Sequence, residues 1–253
     1  MLRIIKFEKY RFLKIKSCVV IIIILSIIIN NGLSLFFYKN QFLKMNGNAY
    51  LESIEEFGQL IPLLIMIFVG LMQDGMIKSN HHLTEIMCGN SLRKILLGKS
   101  IFYTICYLIV VELPFLIEFV LFSKINGINA ISLSRILIQN LCYIIGVFTV
   151  IVFTLYIIYL FNNAAEGVII SCLIYITLFV ISSVASHLII EYKELSIDCI
   201  NWYLLSGIFP EYFCEETEHA ASILLLGQTI INLVIRYILV EVVFKIVKIK
   251  KYN

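Results

Sequence analysis

Ionisable residues inside apolar runs are the first place to look for chemistry. A charge in a low-dielectric setting must be paired, hydrogen-bonded or neutralised. Glu112 stands near the middle of the apolar run 100–122, and Arg236 lies well inside the run 223–244. One reading has the two facing a shared interior, where they pair or line a polar path. In the other, Glu112 is protonated and bonded locally while the Arg236 stem reaches back to the nearer interface. Both stay open at the level of sequence. Asp74 and Glu118 lie close enough to the ends of apolar runs to reach water.

The remaining chemical motifs are weaker. Gly98-Lys99-Ser100 echoes a phosphate-binding loop, but that loop needs a glycine where Arg93 stands and should follow a strand. Lys99 reads instead as an anchor to lipid headgroups. His81-His82 are neighbours in sequence, so on a helix they point about 100° apart and do not share a metal well. Glu55-Glu56 is an acidic pair of the kind used for proteolysis within membranes. It falls on the expected outer side, and no histidines inside spans accompany it. The chain has 7 cysteines and no CxxC pattern, which argues against a zinc site. Cys199 and Cys214 share an expected external segment, where a disulfide is one of two open states.

These residues need elements to hold them, and composition says which. The chain is 60% hydrophobic and 15% charged, with a mean hydropathy of +0.96. Soluble domains carry about 25% charged residues, so polar surface is too scarce here. The apolar residues come in runs long enough to cross a bilayer, near 18–37, 57–77, 100–122, 136–161, 167–190 and 223–244. The expectation is an all-α integral membrane protein, a single domain over 1–253 with six transmembrane helices. The run 18–37 exceeds a signal-peptide core and has no small-residue cleavage site after it, so it is expected to stay as a span.

Orientation follows from the basic residues. They crowd the N-terminal segment (Arg3, Lys6, Lys9, Arg11, Lys14, Lys16), the loop after the second span (Lys78, Arg93, Lys94, Lys99) and the C-terminal tail (Lys245, Lys248, Lys250, Lys251). The opposite side holds Lys39, Lys44, Lys124, Arg135 and Lys193. Both termini are therefore expected in the cytoplasm, with the basic clusters on lipid headgroups rather than nucleic acid.

Residues 3–15 alternate basic and apolar residues at helical spacing, which predicts an interfacial helix. Ile4, Ile5, Phe7, Phe12 and Ile15 would face the membrane, and Lys6, Lys9 and Lys14 headgroups or water. In the loop 78–99, a break at Gly89-Asn90-Ser91 separates two helical pieces, with Ser91 as N-cap of the second. The connection Asn162–Glu166 is short enough to force an antiparallel helical hairpin. The segment 191–222 is acidic, with Glu211, Glu215 and Glu216 among its carboxylates, yet it holds Trp202, Tyr203 and Phe209. Such a stretch suits a short helix lying in the outer leaflet or re-entering it, the plainer alternative being a soluble, lipid-adjacent connector.

The layout, and above all Ser91-Leu92-Arg93-Lys94-Ile95-Leu96-Leu97-Gly98-Lys99, resembles the permease subunits of the type-2 ABC exporter superfamily. In those permeases a similar Ser-x-Arg-Lys-x-x-x-x-Lys run leads from a coupling helix into the third span. The opening Phe7-Glu8-Lys9-Tyr10-Arg11-Phe12 also looks like the family's start. The usual proline before the Arg-Lys run is absent, and His81-His82-Leu83-Thr84 replaces the family's acidic residue and Gly-Thr pair. In size and minimal loops the chain is similar to permeases of lantibiotic immunity and other antimicrobial-peptide transport in Gram-positive bacteria.

The resemblance implies a transport subunit with no nucleotide site or cofactor of its own, ATP being bound by a partner. It implies an ABC ATPase dimer, a second permease chain and membrane lipids as partners. Thr84, Glu85, Ser91, Arg93 and Lys94 would couple to the ATPase. Trp202, Tyr203, Phe209, Glu211, Glu215 and Glu216 would meet a cationic amphipathic substrate outside. The rival classes are a polytopic membrane enzyme, for which Glu112 and Arg236 are too few groups, and a sensory or structural membrane protein.

Overall fold

In a computed structural model of the chain, the described residues are 2–14, 24, 61–78, 91–127, 133–192, 234, 238 and 242. Nearly all of them are helical, and no strand occurs among them. Helix α1 spans Leu2–Lys14, α2 Ile61–Lys78, α3 Leu92–Tyr107, α4 Leu113–Asn126, α5 Leu133–Phe161 and α6 Ala164–Tyr192.

Local chemistry explains the boundaries. Pro62 sits in the first turn of α2, where its missing N–H costs no helical bond. Ser91 is the N-cap of α3: its backbone is extended, and its Oγ accepts from the Lys94 N–H at 3.4 Å. Between α3 and α4 the chain widens into a π turn at Leu108–Glu112. In a regular helix the ring of Pro114 would press on the Val110 carbonyl, and the wider turn falls where that clash would arise. After α4 the chain leaves the helix at Gly127 with φ +81°, a left-handed conformation that glycine adopts without strain.

The hairpin between α5 and α6 is short, as expected from Asn162–Glu166. Asn162 takes the left-handed φ of 53°. Asn163 then caps α6: its Oδ1 accepts from Ala165 N–H at 3.0 Å, and its Nδ2 donates to Glu166 Oε1 at 2.7 Å. Gly167 lets the two helices nearly touch, since a Cβ there would lie 2.6 Å from Ile158 Cα. Gly70 does the same between α2 and α6, where a Cβ would lie 2.3 Å from Val168 Cγ2.

Helix α5 is the centre of the bundle, packed against α2, α3 and α6, while α2 also packs on α6 and α1 on α3. Val147, Ile151, Leu155 and Ile158 of α5 meet Ile65, Phe68 and Met72 of α2 and Tyr103 and Tyr107 of α3 in one apolar core. The outward faces are apolar too. Ile169, Leu173, Ile176 and Val180 form an exposed stripe along α6, and Ile105 of α3 and Ile109 of the π turn are exposed as well. Val234, Ile238 and Val242 are helical and exposed at a spacing of four.

Four of the expected spans coincide with described helices, but their limits differ. The span expected over 100–122 lies within a longer helical stretch that begins at Leu92, after the Ser91 cap expected there, and continues through the π turn to Asn126. Among the described residues, only Tyr143–Phe161 is long and apolar enough by composition to cross a membrane. Ile61–Ile77 and Ala164–Thr177 are shorter apolar helices. The expected first and sixth spans fall outside the described residues except at 24, 234, 238 and 242. The structure therefore carries the all-α class, not the count of six.

Candidate functional site

The polar side chains that the fold brings together lie at one end of the bundle. Gln73 is within about a turn and a half of the end of α2, Lys99 about two turns into α3, and Tyr159 in the last turn of α5. Helix α1 lies across this end. Its residues Ile4, Glu8 and Phe12, four apart, form a stripe that faces α3. A Cβ on Gly98 would sit 3.2 Å from Ile4 Cγ2, and the Phe12 ring meets Phe102 edge-on with centroids 6.1 Å apart.

Between these two apolar contacts Glu8 enters the bundle. Its Oε1 is 3.5 Å from Lys99 Nζ, and both side chains are 0% exposed. Its Oε2 accepts a 2.9 Å hydrogen bond from the Tyr103 hydroxyl, which in turn accepts from Gln73 Nε2. Lys99 also donates to the Tyr159 hydroxyl at 2.7 Å and lies 5.5 Å from the centroid of that ring. Aromatic packing holds the tyrosine in place: Phe68 and Phe102 both meet Tyr103 edge-on. Gln73 Oε1 is buried without a hydrogen-bond partner.

Two expectations change here. Lys99 is not a headgroup anchor; it turns inward because the opposite charge of Glu8 covers that face of α3. Helix α1 exists as expected, but Ile4 and Phe12 pack on Gly98 and Phe102 rather than on lipid. Lys6, Phe7, Lys9 and Tyr10 are exposed. Sequence reasoning missed Glu8 as a site residue. The signal was present, since Glu8 is the sole acidic residue of α1 and lies four residues from both Ile4 and Phe12.

Of the expected coupling residues, Ser91, Arg93 and Lys94 are exposed at the start of α3, at the same end of the bundle as the ion pair. Thr84 and Glu85 lie outside the described residues, as do Arg236, Trp202, Tyr203, Phe209, Glu211, Glu215 and Glu216. His81, His82, Cys199, Cys214, Glu55 and Glu56 lie outside them as well. The Glu112 backbone belongs to the π turn, while its side chain, and so its pairing with Arg236, is outside what is described. Asp74 and Glu118 are partly exposed.

The arrangement joins four helices through polar side chains. It is a charge-compensated joint that fastens α1 to α3, with α2 and α5 supplying the flanking polar groups. No family model matches the chain, and neither does a curated protein or a solved structure.

Proposed function

We propose that the chain is the membrane permease subunit of an ABC exporter, expelling an amphipathic substrate such as an antimicrobial peptide or a lipid-like compound. A separate ATPase dimer drives it, and a second permease chain completes the pathway. Both termini face the cytoplasm of a bacterial plasma membrane. The exposed apolar stripe on α6 supports a lipid-facing surface, because soluble proteins seldom expose long contiguous apolar faces.

The observation that carries the reading is the joint between α1 and α3. Arg93 and Lys94 are exposed at the mouth of a helix whose second turn is bolted to α1 through Glu8 and Lys99. A push on that mouth moves the basic N-terminal helix and α3 together, and Tyr159 passes the motion to α5. A subunit moved by an external motor needs this kind of stiff contact near its grip.

The test is purification of the tagged chain from native membranes. An ATP-hydrolysing subunit should co-purify, and Arg93→Glu with Lys94→Glu should abolish its stimulation by substrate while membrane insertion survives. A fully active double variant, or a chain that never retains an ATPase, would overturn the reading.

A further inference from the structure

Resting on the membrane reading above, we infer that the outward face of α1 is a binding surface for anionic phospholipid headgroups, with Lys6 and Lys9 on the phosphates and Phe7 and Tyr10 set between the heads. Ile4, Glu8 and Phe12 are taken up by α3. What α1 turns outward is Lys6, Phe7, Lys9 and Tyr10. Phe7 is 42% and Tyr10 60% exposed, and at a spacing of three they share one side of the helix. Lys6 and Lys9 flank them at the same spacing.

Charge selects the lipid. The one acidic residue of α1, Glu8, points into the bundle, so among the described side chains the outward face is positive only. Aromatic rings settle at headgroup level, and basic residues there are drawn to anionic lipid. Depth then favours lipid over a soluble partner. Helix α1 rests on Gly98 and Phe102, which lie on either side of the start of the apolar run 100–122. Arg93 and Lys94, exposed at the mouth of α3, lie roughly 6–8 Å further out at the helical rise per residue. Ile105, three residues inward of Phe102, is already an exposed apolar side chain. Helix α1 therefore crosses α3 at the level where the surface changes from basic to apolar, which is headgroup level for a spanning helix. A motor gripping the mouth would meet Arg93 and Lys94 and leave the outer side of α1 to lipid.

The test uses tryptophan fluorescence of the full chain in nanodiscs, made either of phosphatidylcholine or of an equimolar mixture with phosphatidylglycerol. Trp202, the sole tryptophan of the sequence, is replaced by Phe, and Phe7→Trp supplies the reporter. Headgroup-labelled nitroxide lipid quenches from the bilayer surface, and acrylamide quenches from water. In mixed discs the reporter should be quenched by the nitroxide lipid and shielded from acrylamide, more so than in phosphatidylcholine. That difference should be lost in Lys6→Gln/Lys9→Gln and should shrink at high salt. Both lysines are exposed, so the bundle does not depend on them for packing.

A second reporter, Leu173→Trp on the exposed stripe of α6, tests the membrane reading by itself. Nitroxide on the acyl chain should quench it in either lipid. Without that quenching the membrane reading fails, and the inference fails with it. If Leu173→Trp is quenched while Phe7→Trp stays open to acrylamide in both lipids, only the role of α1 is overturned. Shielding of Phe7→Trp that needs a co-purified ATPase would give this face to a protein partner instead. Equal shielding in both lipids, or a phosphatidylglycerol dependence that survives loss of both lysines, would overturn the selection of anionic lipid.

Discussion

The Glu8 carboxylate accepts a 2.9 Å hydrogen bond from the hydroxyl of Tyr103, a residue 95 positions away. That hydroxyl also accepts from Gln73, so one phenol ties α1, α2 and α3 together. Its ring is held edge-on between Phe68 and Phe102.

Tyr103→Phe removes that link while keeping the ring. The Gln73 N–H is then left without its acceptor, at a cost of about 1–3 kcal/mol for a buried polar group. The midpoint of thermal unfolding, followed by loss of the monodisperse peak of the detergent-solubilised chain, should fall. An unchanged midpoint would remove the hydroxyl from the joint.

Glycine substitutions should separate close helix contacts from open ones. At Gly167 a methyl group would press on Ile158 backbone at 2.6 Å, where no flexible side chain can give way. Gly167→Ala should therefore destabilise by about 1–3 kcal/mol or more. At Gly75 nothing lies within 4 Å of the added carbon, and alanine is the better helix former by about 0.5–1 kcal/mol. Gly75→Ala should leave the midpoint unchanged or raised. Equal effects at the two positions would contradict the tight α5–α6 approach.

Membrane orientation is open to a labelling test at exposed positions. Lys124 lies near the end of α4, and Ala165 follows the α5–α6 hairpin; both are exposed. In a cysteine-free background, Lys124→Cys should react with an impermeant maleimide added to intact cells. Ala165→Cys should react only after permeabilisation. The reverse pattern would invert the assigned topology, and labelling of both from outside would end the membrane-spanning reading of α5.

Much of the fold was legible because its causes are local. Ser91 caps α3 with its own side chain, and Asn162 and Asn163 turn the chain and cap α6 within a few residues. Long apolar runs produced helices under the same logic, with Pro114 marking the point where the ladder widens into the π turn. The end of that helical stretch at Asn126, past the apolar run 100–122, was less legible, because a helix that continues beyond its apolar stretch shows no change of hydropathy at its true end.

The sequence by itself determined the helical class, the hairpin, the capped entry to α3 and an N-terminal helix with one acidic residue among basic ones. Only the tertiary structure decided what that acidic residue does. A lysine near the end of an apolar run looks the same whether it reaches for headgroups or turns inward. The difference lies in which element covers its face of the helix, and for Lys99 that element is α1. The two charges come within 3.5 Å of each other through the packing of α1 on α3, which no spacing in the sequence announces.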